Sequence, residues 1–203
     1  MKIHQTKFED ITIAEDVYPF DDARKLLEQL ESWWEHPSRR RFLSNTNYKL
    51  GDVNITNSLE HSLTHKLING NFAFVMHKDQ VVLYGGLQVD GTDSWMHRLT
   101  ANPELFIRHV GASASILIPF QIKKAIEIGC KSYKITLNDD NYRFYQGWDN
   151  GKYTNSSIIK YPDGLQRLSE FEYVGKETIN HTDQWIVKLD LEKEDILRFT
   201  DYE

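Results

Sequence analysis

Alternation of apolar and polar positions is weak over residues 2–14 and predicts one edge strand. Asp21 and Asp22 then precede Ala23, Leu26, Leu27, Leu30, Trp33 and Trp34, which recur at helical spacing. This predicts an N-capped amphipathic helix that stops before His36-Pro37, because the residue ahead of a proline avoids the helical region. Residues 38–56 carry no period and read as a loop. A second helix is expected over 59–68, ended by Asn69-Gly70-Asn71. The middle is more regular. Residues 72–76 and 81–89 are apolar runs around a polar turn at 77–80, the pattern of a hairpin, and a third strand follows at 94–101. Residues 108–113 open a long apolar helix that runs to Ile128 and stops at Gly129. A strand is expected at 131–137 and a short helix at 141–147. Residues 148–170 are polar and read as a loop with a turn at Pro162-Asp163-Gly164. Residues 171–174 and 185–191 are expected to pair as a closing hairpin around 180–183. The acidic tail from Glu192 reads as a solvated helix turn. This order of elements predicts an α/β (α+β) fold with one mixed sheet.

Composition bounds the partners. The chain has 203 residues, 40% apolar and 27% charged, which fits one folded domain over 1–203 rather than a disordered chain. Lys and Arg total 24 against 30 Asp and Glu, so the net charge is -6. A general nucleic-acid binder must neutralise phosphates, so nucleic acid is not an expected partner. No apolar run approaches the ~20 residues that span a bilayer, so no membrane association is expected. The first ten residues are polar and mixed in charge, unlike a secretory signal. Cys130 is the single cysteine, which excludes an internal disulfide and a CxxC zinc pattern and points to a reducing, cytoplasmic setting. It reads as a small apolar filler rather than a nucleophile.

The sharpest chemical feature is Arg108-His109-Val110-Gly111-Ala112-Ser113, between a strand and a helix. Small residues there let a ligand approach the backbone. The unpaired N–H groups and positive dipole end of the next helix suit a phosphate or pyrophosphate. A tight turn that only permits helix–sheet packing would look the same. His61 and His65 are four apart but lack an evident third ligand, so no metal site is expected. Arg39-Arg40-Arg41 is a basic cluster that reads as a solvated loop.

Asn138 ends a strand, and Phe144-Tyr145 follows with the tyrosine seven residues on. Here the sequence resembles the GCN5-related N-acetyltransferase (GNAT) family. Members carry an Arg/Gln-x-x-Gly-x-Gly/Ala loop, which Arg108, Gly111 and Ser113 match. Leu99, Ala101 and Pro103 are similar to the strand end before that loop, and residues 171–175 with 185–191 to the last two strands. Ser113 stands where Gly or Ala is usual, and Gln146-Gly147-Trp148 replaces the family's Gly-Phe.

The resemblance implies a mixed central sheet flanked by helices, with a splay between two central parallel strands, here 94–101 and 131–137. Residues 1–70 would supply the N-terminal strand and helices, 72–147 the acyl-CoA-binding core, and 148–191 an insertion and the closing hairpin. It implies acetyl-CoA, or another acyl-CoA, lying in that splay and donating its acyl group to an amine. Leu99, Thr100 and Ala101 would pair with the pantetheine arm through their main chain. Arg108, His109, Val110, Gly111, Ala112, Ser113 and Ala114 would form the pyrophosphate loop. Asn138 would touch the arm or brace the strand end. Tyr145 would protonate the departing thiolate. His97 and Glu104 are the candidate bases, and Trp95 shares a strand face with His97. A non-catalytic acyl-CoA-binding module and an enzyme acting on nucleic acid or a nucleotide are the rival readings. The acceptor and the oligomeric state, a homodimer included, are left open.

Overall fold

Runs rich in Val, Ile, Phe and Tyr become strands, since branched and aromatic side chains pack well on a pleated surface. A computed structural model describes residues 2–15, 29, 71–102, 104–105, 112–137, 170–179 and 182–202. Its strands are β1 (Lys2–Gln5), β2 (Ile11–Glu15), β3 (Asn71–His77), β4 (Gln80–Asp90), β5 (Asp93–Ala101), β6 (Ser132–Leu137), β7 (Glu172–Ile179) and β8 (Thr182–Asp190). Among the described residues they form an eight-stranded sheet in the order β1-β2-β3-β4-β5-β6-β8-β7. Neighbours are antiparallel except β5 and β6, which run parallel. The mixed sheet expected from the sequence is therefore present.

The parallel pair needs a crossover, and helix α1 (Ile118–Ile128) supplies it. Ile118, Ile122 and Ala125 pack on Leu87, Tyr133, Ile135 and Leu189. Leu117 and Phe120 pack on Ile11, Ile13, Val75 and Leu83. One helix thus covers both halves of one sheet face. Phe72, Phe74 and Tyr84 are buried too, and the rings of Phe74 and Tyr84 stack at 5.8 Å.

The helix stops where expected. Gly129 takes φ 90°, a left-handed value that suits glycine, and the Cys130 N–H closes on the Ala125 carbonyl at 2.9 Å. Its start differs from a regular helix. Ser113–Leu117 winds as a π-turn, with the Ile118 N–H bonded to the Ser113 carbonyl. Pro119 explains this: it has no N–H to donate, and its ring crowds the carbonyl four residues back, on Ser115. A wider turn relieves that crowding.

Three expectations are corrected. Residues 2–14 are not one edge strand. Asp10 takes φ 61°, and the Thr6 hydroxyl donates to the Ile11 carbonyl at 2.8 Å, folding the segment into a β1–β2 hairpin. The alternation is weak because the halves meet different surroundings: β1 is largely exposed, whereas β2 lies between β1 and β3. The closing hairpin is longer than expected, Glu172–Ile179 with Thr182–Asp190. Nor is the acidic tail simply solvated. Ile196–Thr200 forms a 3₁₀ helix, and Ile196, Phe199 and Tyr202 are buried. Ile196 and Phe199 are spaced by the 3₁₀ period, and Tyr202 follows just beyond the helix. Tyr202 meets Phe120 edge-on at 5.4 Å, and its carbonyl accepts the Lys7 N–H at 3.1 Å.

The helices expected at 23–34, 59–68 and 141–147, and the loops at 38–56 and 148–170, lie outside the described residues, Gln29 and Glu170 excepted. Gln29 is helical and its amide brackets the β3–β4 turn, donating to the Asp79 carbonyl and accepting the Val81 N–H, both at 2.9 Å.

The buried tail generates a test. Phe199→Ala should cost about 3–5 kcal/mol, read as a lower melting temperature with the strand signal retained at room temperature. An unchanged melting temperature would put that ring back in solvent.

Candidate functional site

β5 and β6 pair over Asp93↔Ser132, Ser94↔Tyr133 and Trp95↔Lys134, and no further. Yet β5 continues to Ala101 and β6 to Leu137. β6 keeps its other neighbour, β8, to the register pair Leu137↔Trp185. Beyond Trp95 the two strands therefore part, leaving edge N–H and C=O groups on β5 that no described strand engages. This is the expected splay.

Side chains lock the closed end of the splay. The Ser94 hydroxyl donates to the Ser132 carbonyl at 2.7 Å. Asp93 accepts from the Ser132 hydroxyl at 2.5 Å and from Lys134 Nζ at 2.6 Å. Lys134 Nζ also sits 4.7 Å from the centre of the Trp95 ring. The hydrogen bond from Lys134, then that from Ser132, holds the Asp93 carboxyl below its ordinary value of 3.8.

A bulge turns β5 at the open end. Gly86 faces His97 and Tyr84 faces Thr100, so Arg98 and Leu99 together oppose Gly85. An extra residue bends its strand and sharpens its twist. Gly85 is closely packed here: a Cβ would lie 3.1 Å from Leu117 Cδ2, which would have to give by a few tenths of an ångström, and 3.6 Å from the Leu99 Cα. The strand end is fixed by Asn102, which is buried. Its N–H donates to the Val82 carbonyl at 2.7 Å, its Nδ2 donates to the Val81 carbonyl at 2.9 Å, and its Oδ1 accepts the Glu104 N–H at 2.9 Å.

These elements place the residues singled out from the sequence as follows. His97 is the last residue before the bulge. Leu99, Thr100 and Ala101 lie on the stretch of β5 that has left β6. Glu104 is exposed, in the turn after Asn102. Ala112 is fully buried, Ser113 is half-buried, and Ala114 follows in the π-turn. A β–α–β crossover brings the helix start to the ends of β5 and β6, so this π-turn shares its end of the sheet with the open splay. Arg108, His109, Val110, Gly111, Asn138 and Tyr145 lie outside the described residues, as do His61, His65 and the cluster at 39–41. Burial pushes the Cys130 thiol up, which fits a filler.

Sequence reasoning passed over Gln121, a lone polar residue in the apolar run from Ile116 to Ile122. It is 1% exposed and its Oε1 accepts the Tyr133 hydroxyl at 2.5 Å. A polar residue at an apolar period was the signal available. The lock at Asp93 and the bonds from Asn102 to Val81 and Val82 left none, because those partners are distant in sequence.

No helix among the described residues is long and apolar enough to cross a membrane. No group of three or more His, Cys, Asp or Glu among them could hold a metal ion.

The fold recurs in solved structures. A GNAT-family acetyltransferase from Staphylococcus aureus Mu50 matches with a TM-score of 0.53 at 14% identity, over 90% of this chain and 99% of that one. The Salmonella typhimurium protein yncA, solved with its cofactor acetyl-CoA, matches with a TM-score of 0.55 at 13% identity, over 92% and 97%. An aminoglycoside 6′-N-acetyltransferase in complex with coenzyme A matches with a TM-score of 0.53 at 14% identity, over 90% and 98%. No protein-family model and no curated protein matches the chain.

The lock at Asp93 has a pH signature. Its folded value is depressed, so the unfolded chain takes up the proton first as the solution is acidified. The stabilisation is complete well above 3.8 and drains away as pH falls through the lowered folded value. Asp93→Asn should therefore melt below wild type at neutral pH, and the difference should shrink in acid. A gap that stays constant on acidification would remove the charge from the lock.

Proposed function

We propose that this chain, whose fold is that of the GNAT acetyltransferases, is a divergent member of that family that moves an acetyl group from acetyl-CoA to an amine. The observation that carries this reading is the parting of β5 from β6 just beyond a locked vertex, with a bulge at the point of divergence. An extended arm of amides can pair with a strand edge as another strand would. Leu99, Thr100 and Ala101 offer that edge to a pantetheine arm.

The residues at the helix start fit the other end of such a donor. Ala112 caps the π-turn Ser113–Leu117, and such a turn is a device often found at functional sites. Ser115 lies in that turn, is 4% exposed, and its hydroxyl has no hydrogen-bond partner among the described residues. Arg108, His109, Val110, Gly111 and Ser113 complete the proposed pyrophosphate loop, and Asn138, next after β6, touches the arm or braces the strand end. The donor supplies an activated acyl group as a thioester. The chain orients it along β5, polarises its carbonyl with amides near the bulge, and carries the protons. Tyr145 gives a proton to the departing thiolate. His97, placed beside the bulge, or Glu104, exposed at the strand end, takes one from the amine. Transfer is direct, within a complex of donor, acceptor and enzyme. The single-domain reading over 1–203 and a cytoplasmic setting go with this proposal.

The test is ligand-linked stability. Acetyl-CoA at ~100 times its dissociation constant should add about 2.7 kcal/mol and raise the melting temperature, and adenosine should do much less. Gly111→Val should fold and lose the shift, because a side chain there blocks approach to the phosphates. No shift at millimolar acetyl-CoA would end the donor assignment.

A further inference from the structure

The two faces of the sheet differ at the vertex of the splay. Leu87, Met96, Tyr133, Ile135, Val187 and Leu189 pack in the core that helix α1 covers. Alternation therefore turns Gln88, Trp95, Lys134 and Lys188 to the other face. Register sets these four side by side, Gln88↔Trp95, Trp95↔Lys134 and Lys134↔Lys188. Their rung is the last on which β5 and β6 pair, and each of the four residues is half-buried.

Charge on this rung is uneven. Two lysines stand directly opposite each other, an arrangement that repels. Lys134 is engaged, by the Asp93 carboxylate and by the Trp95 ring. Lys188 makes no hydrogen bond or ion pair among the described residues. Its register neighbour on the outer side is Glu172 of β7, which is exposed and does not pair with it. Its charge is felt on the inner side instead. Lys134 and then Ser132 hold the Asp93 carboxyl low, and Lys188 adds to that pull from β8. An ammonium that reaches Asp93 in this way faces the vertex rather than the outer edge. Two lysines against the one carboxylate leave this patch positive, in a chain whose net charge is -6.

Helix α1 fills the first face beneath the parting with apolar side chains. An acceptor that meets a thioester in the splay therefore comes from the second face and passes over this rung. A further cation is repelled there. An anion is drawn to Lys188, and partial burial strengthens the contact.

We propose that Lys188 binds an anionic group, a carboxylate or a phosphate, on the small amine that receives the acetyl group. This rests on the acyl-CoA reading above and adds a substrate class to it: an amine with an acid elsewhere in the molecule, rather than a polyamine. The acid is held at β8 while the amine reaches across β6 to the parting. Strands lie about 4.8 Å apart, so β8 stands roughly 7 Å from the gap between β5 and β6, within the reach of a small molecule and a lysine stem.

The test follows thiol release from acetyl-CoA by the full chain with matched amines. Phosphoethanolamine is set against ethanolamine, phenylalanine against phenylalanine amide, and spermidine supplies a cationic arm. The anionic member of one pair should exceed its neutral partner about 10-fold in kcat/KM, and spermidine should be poor. Preference in the first pair assigns a phosphate, and in the second a carboxylate. Lys188→Met keeps the stem and removes the charge. It should raise KM for the preferred anionic amine about 10-fold with little fall in kcat, since the contact holds ground and transition states alike. Lys188→Arg should restore most of that affinity. Preference for spermidine or for the neutral partners would overturn the proposal, as would an unchanged KM in Lys188→Met. An equal rise in the KM of acetyl-CoA would also overturn it, by placing Lys188 on the donor. If acetyl-CoA binds but no amine of the panel is acetylated, calorimetry of the same pairs on the chain loaded with CoA thiol decides. A preference for the anionic member that Lys188→Met abolishes upholds the proposal, and no preference overturns it. A chain that does not bind acetyl-CoA fails the donor reading itself, a result distinct from these.

Discussion

Three rungs of parallel pairing, from Asp93↔Ser132 to Trp95↔Lys134, join the two halves of the sheet along its centre. Parallel pairing is slightly less stable per residue than antiparallel pairing, and three rungs are few. The side chains at that point compensate. Ser94, Ser132, Asp93 and Lys134 form a continuous hydrogen-bonded set across the two strands, and Trp95 shelters the lysine. With the vertex held, the strands beyond it can diverge without pulling the sheet apart. β5 keeps β4, and β6 keeps β8.

Divergence also needs something beneath it. The crossover helix lies under both halves, and its start has to reach the end of β5 while its body stays packed. Pro119 widens the first turn, and Leu117 settles against the bare backbone of Gly85. The far side of the helix is tied to β2 and to Tyr202. Glu15 is buried at 2% exposure and accepts from His4 at 2.7 Å and Lys124 at 3.0 Å. Tyr202 packs against Phe120 and joins the main chain at Lys7. A buried carboxylate needs such partners, since alone it would be strongly disfavoured. His4, Glu15 and Tyr202 thus steady the helix that underlies the candidate site.

Much of this was legible because it is local. Apolar runs around 77–80 specify the β3–β4 hairpin, and Gly129 ends the helix in the left-handed conformation its position requires. Leu99 and Ala101, taken from a resemblance at a strand end, do lie on the free edge of β5. What escaped depends on distant partners or a mixed period. The hairpin at the start leaves no turn signal in the sequence, because its turn uses a left-handed Asp10 rather than a glycine. The tail buries every third residue among charges, which a helical or strand period does not register. Among the described residues, buried Gln121 is matched only by Tyr133, which comes to it from another strand.

The central claim is that the edges exposed by the splay are where the donor binds. Amide hydrogen exchange read by mass spectrometry, with and without acetyl-CoA, tests it most directly. The account predicts new protection concentrated in residues 96–101 and in the helix start from Ala112, with little change in β1, β2 and β7. Protection confined to those outer strands, or none at saturating acetyl-CoA, would contradict it.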